Sequence, residues 1–449
     1  MPGHKLGKGI PAEFLKNLAM LDLTEIPGTD NLHFPEGAIN EAQKLAAKAF
    51  EAERTFFLVN GSTCGIHALI MTACKPGDKL IVGRDCHRSV INGMMLAGVE
   101  PVYIKPEFDS RFSITTVISP SELERTLKEN PDCAGVLITR PNYYGICSDL
   151  EKIIEIVHRF DKLIAVDEAH GAHLKFNGKF PESSMQLGAD ICVQSAHKTL
   201  PAFTQGAYLH VKSGKIDLEK LRYNLSSLQT TSPSYVIMSF LDIARALMET
   251  EGERLLDALL QNVSLLEAGI CNPGLLLLSM DKTQDYELDK SRLVINVAGL
   301  GRTGFEAERL LREKENIQVE MSDMNNIVCI STIADLREDF EKLCIALNRL
   351  SPEREKRVLR DSRYDDCLFI SKQAVGLKDI LHSKSTKVRL VKAAGRVSRG
   401  MITPYPPGIP VICPGEIISG DAVAYICRIL DSGGKVNGIG EDMEVDIII

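Results

Sequence analysis

The chain predicts an α/β protein built on a mainly parallel sheet, and three observations carry that prediction. From Thr55 to about His210, apolar strand-like runs alternate with helical segments. The runs are nearly continuous in apolar residues, as expected of strands covered on both faces. The polar motifs fall where those strands end, which is where open parallel sheets carry their sites.

The elements follow in order. Residues 1–37 are rich in Gly and Pro, with one helical stretch near Ala12–Met20, and a helical pattern runs from Ala38 to about Ala52. Candidate strands are Thr55–Val59, Lys79–Val82, Glu100–Ile104, Gly135–Thr139, Leu163–Val166, Ile191–Gln194 and Gly206–His210. Helices fit between most of them, at Gly65–Cys74, Ser89–Ala97, Pro120–Glu129 and Asp149–Phe160. A helical stretch from about Pro233 to Ala268 leads out of this domain. A smaller α/β segment follows, with strands near Arg292–Val297, Ile317–Val319 and Ile327–Ile330 and helices near Gly304–Lys314 and Leu336–Leu350. After the charged stretch Pro352–Arg363 comes a final segment carrying Pro404-Tyr405-Pro406-Pro407-Gly408. At 449 residues the chain exceeds one ordinary core. The expected division is a large domain over 1–268, a small α/β domain over 269–350 and a C-terminal domain over 351–449.

Composition removes several function classes. Lys plus Arg number 52 against 60 Asp plus Glu, a net charge of -8 with no basic face, so nucleic acid is not an expected partner. No apolar run reaches the roughly 18 residues a membrane span needs. Met1-Pro2-Gly3-His4-Lys5 lacks the apolar stretch of a signal peptide, so a cytoplasmic location is expected. The twelve cysteines are scattered, none as C-x-x-C, and Cys192, Cys329 and Cys427 sit inside apolar runs. They read as buried thiols in a reducing compartment. No H-E-x-x-H spacing occurs, and no metal site is expected.

One constellation carries chemistry. Lys198 stands in Ser195-Ala196-His197-Lys198-Thr199, in the loop after one strand, while Leu163–Val166 ends in Asp167-Glu168-Ala169-His170. A lysine can form a Schiff base with the aldehyde of pyridoxal phosphate, and a carboxylate can hold the pyridine nitrogen protonated so that the ring accepts electrons. Asn60-Gly61-Ser62-Thr63-Cys64-Gly65 joins a strand to a helix with small residues and hydroxyls that suit a phosphate. Each has a bland reading: Ser and Thr cap many helices, Asp167 could pair with any basic neighbour, and Lys198 could be a solvated lysine. His87 lies at another strand end, where it could stack on a cofactor ring or do nothing. His197 and His170 are second-rank candidates, and His173 has no assignment from spacing.

With these residues assembled, the chain resembles the Orn/Lys/Arg decarboxylase family, whose members carry an aminotransferase-type (fold type I) pyridoxal phosphate domain. The matching stretches are PGHK (2–5), HFPEG (33–37), VNGST (59–63), DCHRSV (85–90), PNYYG (141–145), VDEAHGAH (166–173), QSAHKTL (194–200), TSPSY (231–235) and PYPPGIPVICPGE (404–416). The resemblance implies Lys198 as the cofactor lysine, Asp167 as partner of the pyridine nitrogen and His87 as the stacking histidine. Ser62, Thr63 and Ser195 match phosphate ligands, Ala169 packs on the opposite ring face and His170 lies near the phenolic oxygen. His197 is a candidate for proton transfer or substrate positioning. Thr231 and Ser232 resemble a segment reaching the phosphate from a neighbouring subunit, which implies a homodimer or a larger homo-oligomer.

Two departures stand out. Met1 directly precedes Pro-Gly-His-Lys, where relatives usually carry further residues, so either the start is truncated or this member is a short form without the N-terminal wing domain; and Phe34 stands where many small-form relatives have a second histidine. The implied reaction is decarboxylation of a basic L-amino acid to its amine, arginine first, then lysine, then ornithine, in polyamine synthesis. Asp30, Glu36 and Glu416 are the acids offered for the distal cation of the substrate. The rivals are an aminotransferase or other lyase of the same fold, for which Arg292 or Arg302 could clamp a carboxylate without motif support, and a silent relative that keeps only the cofactor.

Overall fold

A computed structural model describes residues 1–279, 286–353, 370–405 and 408–449. Pro406 and Pro407 of the PYPPG motif, and most of the charged stretch Pro352–Arg363, lie outside the described residues.

Seven strands form the central sheet: β1 (Arg54–Leu58), β2 (Lys79–Gly83), β3 (Glu100–Ile104), β4 (Gly135–Thr139), β5 (Leu163–Asp167), β6 (Ile191–Gln194) and β7 (Ala207–Val211). Their order is β1-β7-β6-β5-β4-β2-β3, and only β7 runs against its neighbours. Alternation along the strands sorts the side chains onto two faces. Val82, Leu137, Ala165, Val193 and Leu209 pack under the helices Gly61–Ala73, Arg88–Ala97 and Leu218–Leu228. Ile81, Val136, Ile138, Ile164, Val166 and Cys192 pack on the other side against Pro120–Glu129 and Leu150–Arg159. Both faces are dry, which is why these strands are apolar without polar alternation.

The 35-residue helix Tyr235–Gly269 carries the chain away, and its buried Leu256, Leu259, Val263 and Leu266 join a core shared with the small domain. There Leu276–Leu277, Arg292–Asn296, Asn326–Ile330 and Met321–Ser322 form an antiparallel sheet, in that order. The strand expected at Ile317–Val319 is not formed. Asn316 ends the preceding helix in the left-handed region and Ile317 N–H bonds back to Leu311 O at 3.0 Å, so the chain is still capping a helix there and pairs only from Met321. In the C-terminal part, Ser385–Arg389 pairs with Glu444–Ile448 over a separate core of Leu390, Ile402, Ile412, Ile426 and Ile447.

Two ties hold these parts beside the sheet's carboxyl end. Gly3 donates to His197 O at 2.7 Å and accepts from Thr332 Oγ1 at 2.8 Å, joining the N-terminal segment to both domains. Arg84, fully buried after β2, donates to Pro410 O (2.6 Å), Val411 O (3.0 Å) and Glu416 (3.3 Å) and lies over the Tyr103 ring.

Candidate active site

Strand alternation decides where Asp167 points. It pairs in register with Thr139 and Val193, so it faces the side covered by the helices that begin near Ser62 and His87. Asp167 is 3% exposed and accepts from Ala169 N–H at 3.1 Å. Burial raises its pKa, although the nearby Lys198 charge pulls the other way.

Lys198 stands in a single helical turn, Ala196–Thr199, and not in an open loop. The side chain is partly open to the cleft, but its amine lies deep among protein atoms. Burial brings its pKa down to about 8; the Asp167 carboxylate opposes that shift and the Arg292 charge adds to it. Lys198 Nζ is 3.0 Å from His170 Nε2. His170 is held well below its usual pKa by burial and by Lys198 and Arg292, and Tyr143 meets its ring edge-on at 5.5 Å.

The other histidines have fixed orientations. His87 caps the helix Arg88–Ala97, its Nδ1 accepting from Ser89 N–H (3.2 Å) and lying 2.8 Å from Ser89 Oγ. Burial pushes its pKa to about 3, so the ring is neutral with the proton on Nε2. Gly408 borders this ring: a Cβ there would sit 3.4 Å from His87 Cδ2. His197 Nδ1 donates to Gly206 O at 3.0 Å, which leaves Nε2 as the basic nitrogen, and burial lowers its pKa to about 4.

At the helix side, Ser195 Oγ donates to Ser62 Oγ at 2.8 Å. The helix begins at Gly61, four residues earlier than expected, so Ser62 and Thr63 belong to its first turn. Asn60 makes no side-chain cap and Gly61 N–H donates to Gln205 O at 2.9 Å, so the anion-binding N–H groups of this first turn are those that follow, from Ser62 and Thr63. Ala169 is buried between Asp167 and His170. Thr63 is exposed. Thr231 and Ser232 are also exposed, and Ser232 bonds locally to Thr230 (3.2 Å), so within one chain they are not brought to the Ser62–Ser195 pair.

Of the acids offered for a substrate cation, two are committed elsewhere. Asp30 accepts from the N–H groups of Asn31, Glu36, Gly37, Ile39 and Asn40 and ties down the turn before a helix. Glu416 is buried with Arg84. Glu36 is exposed beside Phe34 on a surface cavity of about 320 Å³. Arg302 pairs with Glu353 outside the cleft.

Spacing missed a second layer. Arg292 reaches in from the small domain, its Nη2 2.6 Å from His170 Nδ1. His173 pairs with buried Asp289 at 3.1 Å, and Ser291 Oγ donates to Asp289 at 2.7 Å. Glu168, fully buried, accepts from Ser184 N–H (2.8 Å) and Gln194 Nε2 (2.6 Å). An acid and an arginine bracketing the start of an apolar strand, Asp289-Lys290-Ser291-Arg292, was the available signal, but only tertiary folding brings it to His170.

The sheet order and this site define the aminotransferase-like fold type I class. Alanine–glyoxylate aminotransferase from Nostoc superposes at a TM-score of 0.60 and 19% identity, covering 76% of this chain and 92% of its own. Lysine decarboxylase LdcF of Francisella novicida superposes at 0.84 with 21% identity, covering 100% of this chain and 78% of its own.

The chain belongs to the Orn/Lys/Arg decarboxylase family: the family's major-domain model matches residues 1–271 and its C-terminal-domain model residues 369–444. An arginine decarboxylase of Bacillus anthracis is 37% identical over 459 positions, covering 100% of this chain and 92% of the relative. One from Bacillus subtilis is 37% identical over 450 positions, covering 98% and 91%.

Proposed function

We propose that this protein decarboxylates a basic L-amino acid, arginine first, with pyridoxal phosphate as cofactor. One observation carries the reading: a lysine amine with a depressed pKa, a buried carboxylate and an uncapped helix N-terminus converge at one end of the sheet. Those three features fit an aldehyde, a pyridine nitrogen and a phosphate. Full-length similarity to proteins named arginine decarboxylase supports arginine over lysine and ornithine.

When bound, the cofactor supplies an electron sink for the pair left behind as carbon dioxide departs. The chain's own groups do the rest. Asp167 stays ionised opposite a ring-nitrogen proton, because a buried anion needs a cationic partner. Lys198, half neutral near pH 8, offers a nucleophilic lone pair and later a proton for Cα. His87, its tilt fixed by Ser89, would stack on the cofactor ring, and buried Ala169 would pack on the opposite face. His197 Nε2 is free to hold or pass a proton. Ser62, Thr63 and Ser195 would hold the phosphate from their own chain, and Thr231 and Ser232 would reach it from the neighbouring copy of a homodimer or larger assembly. Domain limits at 268 and 350, a cytoplasmic location and a place in polyamine synthesis are part of the same reading. A second core of Leu390, Ile402, Ile412, Ile426 and Ile447 in the C-terminal part supports the limit at 350, although Leu377 and Cys413 pack into the core under the central sheet.

The test supplies purified protein and pyridoxal phosphate with L-arginine, L-lysine and L-ornithine in turn. Carbon dioxide with agmatine is the expected result. Cadaverine or putrescine as the main product would move the substrate, whereas a keto acid without carbon dioxide would make the protein an aminotransferase. Cofactor absorbance with no turnover of any of the three would make it a silent relative.

A further inference from the structure

The small domain sends one cation into the Lys198 end of the cleft, and its hydrogen bonds are incomplete. Arg292 is 2% exposed; Nη2 meets His170 Nδ1 at 2.6 Å and His170 O at 3.5 Å, while Nε and Nη1 have no partner among the described residues. A guanidinium only donates, so His170 Nδ1 is the accepting nitrogen. A neutral imidazole then carries its single proton on Nε2, and that N–H points at Lys198 Nζ, 3.0 Å away.

We propose that Arg292 is a positioning residue: by donating to Nδ1 it locks His170 as the Nε2–H tautomer, so that His170 offers a donor, never an acceptor, to the Lys198 amine. An amine that accepts this bond must keep its lone pair, so the contact favours the reactive neutral form. The proposal rests on reading Lys198 as the reactive amine, but its test reads imidazole nitrogens and can fail independently of turnover.

The surroundings are built to hold this contact. Gly145, at φ +84°, lies against the arginine stem: a Cβ there would come within 2.6 Å of Arg292 Cγ and 2.7 Å of its Cβ. Asp289 N–H donates to Gly145 O at 2.8 Å and Arg292 N–H to Asp289 O at 3.0 Å, so the loop ending PNYYG and the small-domain strand fix the guanidinium together. The charged and titratable groups that bear on the pair are Asp167, Arg292 and Glu320 around Lys198, and Lys198, Arg292, His87, His197 and the Tyr143 ring around His170.

The test uses the full-length chain labelled with ¹⁵N-histidine, with cofactor bound and after its removal. In the native protein His170 shows a protonated Nε2 and a bare Nδ1 at pH 8–9, where the Lys198 amine is at least half neutral. Arg292→Met lets the Lys198 ammonium donate to Nε2 instead, and the Nδ1–H population at pH 8 rises about tenfold or more, the size expected for losing one charge-assisted bond. The pH at which the cofactor-free chain takes up pyridoxal phosphate shifts upward in the same variant. Arg292→Lys keeps a cation on a shorter stem that does not reach Nδ1, so it must alter the tautomer as Arg292→Met does. A protonated Nδ1 in the native protein overturns the proposal, whether or not the variants fold. An unchanged His170 spectrum in folded Arg292→Met overturns it equally.

Discussion

Replacing Lys198 with Met should end turnover and at the same time stabilise the cofactor-free protein. The amine pKa is about 8 in the fold against 10.5 for an ordinary lysine. The unfolded chain therefore binds the extra proton more readily, and below pH 8 folding pays the full difference. A gap of 2.5 units at about 1.4 kcal/mol each sets an upper bound of about 3.5 kcal/mol near pH 6.5, and the cleft's residual water reduces it. The penalty fades as pH rises from 8 towards 10.5, falling to about 1.4 kcal/mol at pH 9.5. Methionine has similar length and no charge, so it removes the cost without opening a cavity. Urea unfolding of both cofactor-free proteins at pH 6.5 and 9.5 measures the effect. The variant should be more stable at both, by the larger margin at the lower pH. Equal stabilities, or a gain that does not shrink with pH, would refute the claim that burial lowers the pKa of this amine in the fold.

Other perturbations test the framework of the site. Arg84→Leu should cost about 3–5 kcal/mol by stranding buried Glu416, and adding Glu416→Gln should recover much of it, as read by urea unfolding of the single and double variants. Asp30→Ala should lose at least about 2 kcal/mol, because several N–H groups lose their acceptor together. Burial opposes ionisation of Asp30, but those bonds win and hold its pKa below the usual value. Its contribution is therefore present above about pH 4 and lost as pH falls through the folded pKa, so acid unfolding of Asp30→Ala should be less steep than native. Gly145→Ala should destabilise by about 1–3 kcal/mol through its left-handed φ and displace Arg292, seen as a changed His170 nitrogen spectrum. Asp167→Asn should bind pyridoxal phosphate more weakly in equilibrium dialysis and turn over far more slowly, since an amide cannot stabilise a protonated ring nitrogen.

What could be read from the chain beforehand follows the range of the interactions. The strands of the central sheet announced themselves because burial on both faces demands unbroken apolar runs such as Leu163-Ile164-Ala165-Val166, and this pressure acts within a few residues. The ends of elements were less legible. The helix begins at Gly61, ahead of the apolar pattern, with its N–H held by Gln205 O of a distant segment, and Ile317 looks like a strand start while its N–H is still bonded to the preceding helix. Asp167 and Lys198 could be paired on paper because Asp167 ends one strand of the sheet and Lys198 follows closely on the neighbouring strand. Arg292 could not, since nothing near it in sequence says that Gly145 has no side chain in its way or that His170 turns Nδ1 towards it. Asp30 misled in the opposite direction: an acid near a supposed entrance looks available for a substrate cation until its backbone donors are seen. The residues that set protonation states here are placed by contacts between domains, and the motif residues owe their reactivity to them. Asp167 and Lys198 alone would be a buried ion pair, with little to favour the neutral amine beyond desolvation. Desolvation does most to lower the Lys198 pKa, Asp167 opposes it, and the second cation, Arg292, adds to the lowering beside His170.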